Sequence, residues 1–432
     1  MNILINGFIL LFLLFLLIFL SMPVSIALGV VSVTGVLMIG GDVMTIIPQN
    51  IYSGINSFPL LAIPFFILAG ELMNAGGITQ KLINLASLMI GKMPASLAQV
   101  NIVTSMFFGG ITGSATADTS AVGGMLIPAM KEEGYPADFS VAVTASSSTI
   151  GPIIPPSIIM VIYGTTVSTS VGALFMGGFV PGILVGLALM VVVGIMDRKY
   201  HYPRRTYHYT KEEAFTIMIE AVLPLLMPLI IMGGILSGIF TPTEAGAIAA
   251  LYSFLLSAVI FHTVKIRDIP ELLRKTAKVT APVLFIIATS KILSWVFAVL
   301  RMQYELGEFL NSYVHSPFIF LIIVNILLLF MGTFMDAGAS VIMMAPILAP
   351  IAIQYGINPV QFGLIMCINL TIGNATPPMG ICLFIGSSIG KVQLSKVSKK
   401  ILPFLIAEVI VLLMVTYIPD ITLLLPRIFG LI

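Results

Sequence analysis

Residues 146–157 read SSSTIGPIIPPS and sit inside an apolar run of spanning length, about 139–165. Such a run predicts a membrane helix, but Gly151, Pro152, Pro155 and Pro156 deny it continuity. Each proline removes an amide donor and clashes with the preceding turn, freeing backbone carbonyls and amides near mid-span. In hydrocarbon those groups survive only where protein or a water-filled cavity satisfies them. Residues 371–380, TIGNATPPMG, repeat the device inside the run 361–388. Two broken helices in corresponding places point to a solute site.

Working outward from that stretch, the composition agrees with a membrane setting. Of 432 residues, 58% are hydrophobic and 9% charged, which a soluble domain could not solvate, so the chain reads as an all-α polytopic membrane protein. The formal charge of +2 matters less than where the charges sit. Cys367 and Cys382 fall in apolar segments and read as buried packing residues. No GxxxxGK[ST] occurs, which excludes a P-loop ATPase. The N-terminal apolar run has no basic flank or small-residue cleavage site and reads as a retained first span.

Ten runs of spanning length occur, at about 4–21, 24–41, 59–75, 139–165, 172–196, 217–240, 244–262, 281–299, 361–388 and 400–419. Two longer runs, 94–130 and 316–354, are interrupted at their middles by GGITGSATADTS and MGTFMDAGAS. Basic clusters (Arg198, Lys199, Arg204, Arg205 and Lys211, then 265–278 and 391–400) mark cytoplasmic loops. The crossings between them balance only if each interrupted run is a re-entrant hairpin. Lys81, Lys92 and Lys131 flank the first hairpin, so it opens to the cytoplasm, and both termini fall outside. The basic loop 197–211 reads as a solvated face, with no nucleic-acid-binding role.

The chain also repeats itself. Gly110 and Gly332, Pro128 and Pro350, Thr149 and Thr371, Gly151 and Gly373, and Pro155 and Pro377 are all 222 apart, and Pro23 and Pro242 are 219 apart. Each copy holds five spans, an odd number, so the second must sit upside down. The expected organisation is a first inverted repeat, 1–196, a basic cytoplasmic linker, 197–216, and a second repeat, 217–432. Inverted-topology repeats with two re-entrant hairpins and two discontinuous helices describe a secondary transporter.

Each hairpin tip should lie near the broken helix of its own repeat. The first set is Gly113, Ser114, Ala115 and Thr116 with 146–151; the second is Thr333, Asp336, Ala337, Gly338 and Ser340 with 371–377. Unwound carbonyls and hydroxyls give a hard oxygen shell suited to Na⁺, while helix starts after each break offer amides to an anion. Packing kinks are the plainer reading of one such cluster; four in register favour a site. Asp118 and Asp336, nearest the tips, bind a cation, titrate, or cap the second hairpin helix. Glu71 and Lys291, the other mid-span charges, suit an ion pair or an interface. Glu244 belongs to a helix start capped by Thr241 or Thr243. Trp295, His262 and His315 read as interface residues without metal-ligand spacing.

With these motifs in view, the chain resembles the large membrane subunit of tripartite ATP-independent periplasmic (TRAP) transporters. The match is carried by GSATAD at 113–118, GPIIPPS at 151–157 with Tyr163 and Gly164, TPTEA at 241–245, MDA at 335–337 and TPPMG at 376–380. Together these span both repeats and nearly the whole chain. The resemblance implies a Na⁺-driven importer of small organic anions such as C4-dicarboxylates, sialic acid, or other sugar or keto acids. It implies an elevator-type mechanism in a bacterial inner membrane, a small four-helix membrane subunit, and a periplasmic substrate-binding protein. Carried onto this sequence, one Na⁺ site would use Ser114, Thr116, Ser146, Ser147, Ser148 and Gly151. The other would use Gly332, Asp336, Gly338, Ser340, Thr371, Gly373, Asn374, Thr376 and Pro377. The solute would lie between the tips, against Gly113, Ala115, Thr149, Pro152, Ala337 and Asn374. A stand-alone anion transporter of related fold is the alternative. An intramembrane aspartyl protease built on Asp118 and Asp336 is a remote one, since the GxGD context is missing.

Overall fold

The computed structural model describes residues 3–20, 22–40, 43–204 and 209–432; Arg205 of the basic linker and residues 21 and 41, at the ends of the first two expected spans, lie outside them. Every regular element among the described residues is helical. The first half comprises α1 (Ile3–Phe19), α2 (Val24–Ile39), α3 (Ile46–Ile55), α4 (Ala62–Ala75), α5 (Ile78–Ile90), α6 (Ser96–Thr112), α7 (Ala115–Glu132), α8 (Ala137–Ser147), α9 (Ile158–Val167) and α10 (Val171–Tyr200). The second comprises α11 (Lys211–Leu236), α12 (Pro242–Phe254), α13 (Ile269–Val299), α14 (Met302–Tyr313), α15 (Pro317–Phe334), α16 (Ala337–Gln354), α17 (Pro359–Gly373), α18 (Ile381–Gly390), α19 (Leu394–Tyr417) and α20 (Asp420–Ile428). Eight segments among the described residues are long and apolar enough to cross a bilayer, and α15 and α16 are two of them.

Both interrupted runs are helix–turn–helix units, α6–α7 and α15–α16, each closed by a two-residue turn. Both proline-bearing runs are broken where expected. The helix stops at Ser147 and restarts at Ile158; in the second half it stops at Gly373 and restarts at Ile381. The bonds Pro155–Pro156 and Pro377–Pro378, 222 residues apart, are both cis.

Elsewhere the sequence reading needs correction. Helices α3, α5, α14 and α20 fall outside the expected runs. Helix α10 runs on to Tyr200 and α11 begins at Lys211, both inside the stretch 197–216 assigned to the linker. The start of that stretch is held down: Asp197 accepts from the Tyr202 amide (3.0 Å) and from Arg204 (3.1 Å), and Tyr135 donates to the Pro203 carbonyl (2.6 Å). Glu244 does sit in a capping box with Thr241, whereas Thr243 donates instead to Phe58.

Packing sorts the helices. One group joins α4 to α12 and α13, and α2 to α13, while α5 bridges from α11 to the hairpin helix α6 and α14 from α1 to the hairpin helix α16. The other holds the hairpins and broken helices, flanked by α10 and α19. Within it each half-helix beyond a break crosses to the other hairpin: α9 packs on α16, and α18 on α7. Each half-helix thus ties one break to the opposite hairpin.

Candidate functional site

The first hairpin turns at Gly113, whose φ of +59° lies in the left-handed region that only glycine enters freely. A Cβ there would sit 2.5 Å from the Pro156 carbonyl oxygen, so a bare backbone is what lets the tip rest on the break. Ser114 caps α7 by accepting from the Ala117 amide, and its hydroxyl lies 3.1 Å from that of Thr116. Below the tip, Gly109 and Gly151 meet backbone to backbone. In the second half Gly332 and Gly373 do the same, a Cβ on Gly373 falling 2.5 Å from the Gly332 Cα. Each hairpin thus touches the break of its own half.

A buried polar chain backs the first break. Asn101 on α6 donates to Thr144 (2.7 Å) and accepts from Ser147 (3.1 Å); Ser105 donates to Asp118 (2.8 Å) and lies 3.1 Å from the Ser147 hydroxyl. Ser148 donates to the Thr144 carbonyl. Thr149 lies 2.7 Å from both the Ser146 carbonyl and Glu408 on α19. In the second half the corresponding chain is made of amides: Asn369 donates to Asn325 (2.7 Å), which donates to Thr416, while Gln361 donates to the Thr416 carbonyl. Thr371 donates to the Cys367 carbonyl within α17, and Thr376, in the break, donates back to the Ile372 carbonyl.

The two aspartates divide their roles. Asp336 is the N-cap of α16 and accepts from the Gly338 and Ala339 amides. Asp118 is not a cap; it sits fully buried in the first turn of α7. Buried oxygens without a hydrogen-bond partner include Asp118 Oδ1, Ser146 Oγ and Glu408 Oε2 around the first break, and Ser340 Oγ, Asn374 Oδ1 and Asn369 Oδ1 around the second. Uncommitted hard oxygens of this kind are what Na⁺ takes, so the residues fit that ion. Among the described residues no three His, Cys, Asp or Glu side chains gather as a metal site.

A cavity of about 290 Å³ opens between the tips. Gly113, Ser114, Ala115 and Thr116 line one side, Asp336, Gly338 and Ala339 another, with Pro152 and Asn374 from the breaks. Ile67 of α4 and Val279, Pro282, Val283 and Ile286 of α13 close it from the other helix group. Of the six solute candidates, Gly113, Ala115, Pro152 and Asn374 line this space. Thr149 does not, being bonded to Ser146 and Glu408, and Ala337 is buried within α16. The helix starts facing the cavity are those of α7, α9 and α16; α18 contributes none. Its lining contains no Lys or Arg.

Some participants escaped the sequence reading. Glu408 is a mid-span charge in the 400–419 run, readable by the rule that selected Glu71 and Lys291, and it is the most deeply buried of the three. Ser105 and Asn101 carried no sequence signal beyond being polar in an apolar run. Of the ion pair or interface role expected of Glu71 and Lys291, the ion pair is not formed: neither joins one among the described residues.

Two antiparallel helix pairs meeting two broken helices around a solute-sized cavity define the class: a helical membrane transporter. Residues 11–421 match the family described as Tripartite ATP-independent periplasmic transporter, DctM component, and the chain belongs to that family. It is a transport protein and not an enzyme. It is 38% identical to the sialic acid TRAP transporter large permease protein SiaM of Vibrio cholerae, over 96% of each chain. It is 35% identical to the C4-dicarboxylate TRAP transporter large permease protein DctM of Rhodobacter capsulatus, over 95% of this chain and 96% of that one. In fold it is similar to the YdaH transporter of Alcanivorax borkumensis, with a TM-score of 0.65 at 12% identity, covering 99% and 98% of the two chains.

Proposed function

We propose that this permease imports a small organic carboxylate coupled to Na⁺, the solute lying between the hairpin tips. The observation that carries the reading is the cavity bounded by both tips and both breaks, with uncommitted buried oxygens beside each break. Ser114, Thr116, Ser146, Ser147, Ser148 and Gly151 hold one Na⁺. Gly332, Asp336, Gly338, Ser340, Thr371, Gly373, Asn374, Thr376 and Pro377 hold the other, and Asp118 adds a carboxylate behind the first. Bound Na⁺ supplies positive charge beside a cavity whose one charged lining residue is Asp336. The N-terminal turns of α7 and α9, which line the cavity, supply the rest for an anion.

The two halves act as inverted repeats, 1–196 and 217–432, in a bacterial inner membrane with both termini periplasmic. The hairpins and broken helices slide as one elevator body past the group built on α4 and α13. Solute arrives from a periplasmic binding protein, and a small four-helix membrane subunit completes the complex. The carboxylate class follows from relatives named for sialic acid and C4-dicarboxylate. Liposomes holding the permease, its small subunit and its binding protein test the reading. Uptake should collapse when Na⁺ is replaced by K⁺; undiminished uptake in K⁺ sinks the coupling. Uptake by the permease alone would instead favour a stand-alone carrier.

A further inference from the structure

A second cavity, of about 260 Å³, adjoins the first and shares Ile67, Ser114, Thr116, Ile158 and Val279 with it. It lies between α4 and α7 and is lined by Glu71, Asn74, Thr112 and Ser120 as well. From the hairpin tip it follows Ala117 and Ser120 along α7, toward the end that carries Lys131. Glu71 is half-buried, one turn before the C-terminal end of α4, and makes no hydrogen bond or ion pair with another described residue. A lone carboxylate in an apolar spanning helix is costly unless it faces a water-filled cavity or an ion path, and Glu71 faces this cavity. Lys291, 220 residues away in sequence, is exposed elsewhere on α13 and lines neither cavity, so it does not neutralise Glu71.

We infer that Glu71, with the oxygens of Asn74, Thr116 and Ser120, forms a subsite for a monovalent metal cation on the route between the first hairpin tip and the side bearing Lys81, Lys92 and Lys131. One carboxylate among neutral oxygens is weak for a divalent ion, which seeks more charge and more ligands. It is sufficient to concentrate Na⁺ beside Ser114 and Thr116, since a fixed charge in a low-dielectric cleft raises local counter-ion occupancy. Glu71 and Asn74 stand on α4 while Thr116 and Ser120 stand on the hairpin helix α7, so the subsite spans the seam between the two helix groups and lies outside both breaks. The inference rests on the reading of Na⁺ as the coupling ion.

The test is Na⁺-dependent thermal stabilisation of the full chain in detergent, at constant ionic strength with choline as replacement. Glu71→Gln should raise the Na⁺ midpoint about three- to tenfold, the effect of one charge acting across roughly 10 Å of partly screened protein, while melting without Na⁺ stays unchanged. Glu71→Asp should restore the midpoint to within about twofold by returning the charge. Ser120→Ala, on the other wall, should move it in the same direction by about twofold, and it carries the test if Glu71→Gln proves unstable. A wild-type midpoint in Glu71→Gln or Ser120→Ala overturns the subsite and leaves Na⁺ coupling standing. A wild-type chain that ignores Na⁺ overturns both.

Discussion

The two breaks share a backbone plan and differ in how they are sealed. Every residue from 148 to 157 is buried, whereas in the second break Pro378 and Met379 are exposed, Met379 by 52%. The cause lies in the long helix that follows each break. Helix α10 carries Gly178 and Gly182, and these let Ile153 and Ile154 press onto its backbone. The positions 222 later, Lys400 and Phe404 on α19, carry side chains that pack over the Tyr200 ring and against Phe139. The polar chains differ too: the first ends on carboxylates, Asp118 and Glu408, and the second on amides. Even the hairpin aspartates have traded places, since Ser114 and Asp118 stand 222 before Asp336 and Ser340. One half is a sealed, charge-backed anchor, and the other opens onto its surroundings through its tip.

That contrast can be broken most directly by thiol labelling. Met379→Cys should react at least about a hundredfold faster than Ser157→Cys, its equivalent, because a sealed position needs a local opening before it reacts. Cys367 and Cys382 are fully buried and give little background. Comparable rates would end the idea of a sealed first break. Next, Gly178→Ala should cost about 1–3 kcal/mol in thermal unfolding, since its Cβ would fall 2.5 Å from the Ile153 carbonyl oxygen. Lys400→Ala, losing one contact over the Tyr200 ring, should cost under about 1 kcal/mol.

A smaller effect separates the aspartates. Asp118→Asn should raise the Na⁺ midpoint about tenfold, the worth of roughly one charge-assisted contact, because one of its oxygens is uncommitted. Asp336→Asn keeps a competent cap for α16, so melting without Na⁺ should change by no more than about 0.5 kcal/mol, and because one of its oxygens is committed to that cap the Na⁺ midpoint should rise less than in Asp118→Asn. Equal midpoint shifts would show that position along the hairpin does not matter. Smallest, Thr149→Val strips Glu408 of its hydrogen-bond partner and should cost about 1 kcal/mol. Thr371→Val, which loses only a bond within its own helix, should cost a few tenths, about 0.3 kcal/mol. Differential scanning in detergent compares the two.

Much of this was legible because it is local. Proline in an apolar run breaks a helix whatever surrounds it, so Pro155 and Pro377 located both breaks, and Gly113 located a turn. The spacing of 222 survives as matching turns and matching cis bonds. Capping was harder to assign. Asp118 and Asp336 look alike in sequence, and only the turn geometry puts Ser114 and not Asp118 at the head of α7. Thr149 was assigned to the solute because it lies in the break, yet its hydroxyl turns away toward α19.

By itself, then, the sequence determined the class of protein, the two hairpins, the two breaks and the oxygen-rich composition around them. These follow from backbone chemistry and from hydrocarbon excluding unsatisfied polar groups. Tertiary structure alone decided which oxygens stay uncommitted, that Glu408 reaches Thr149 across 259 residues, and that α4 and α13 wall the cavity. It also decided that the first break is sealed by glycines on a helix outside it. Such pairings depend on which helix faces which, and that is set by packing over the whole chain and not by any one stretch of it.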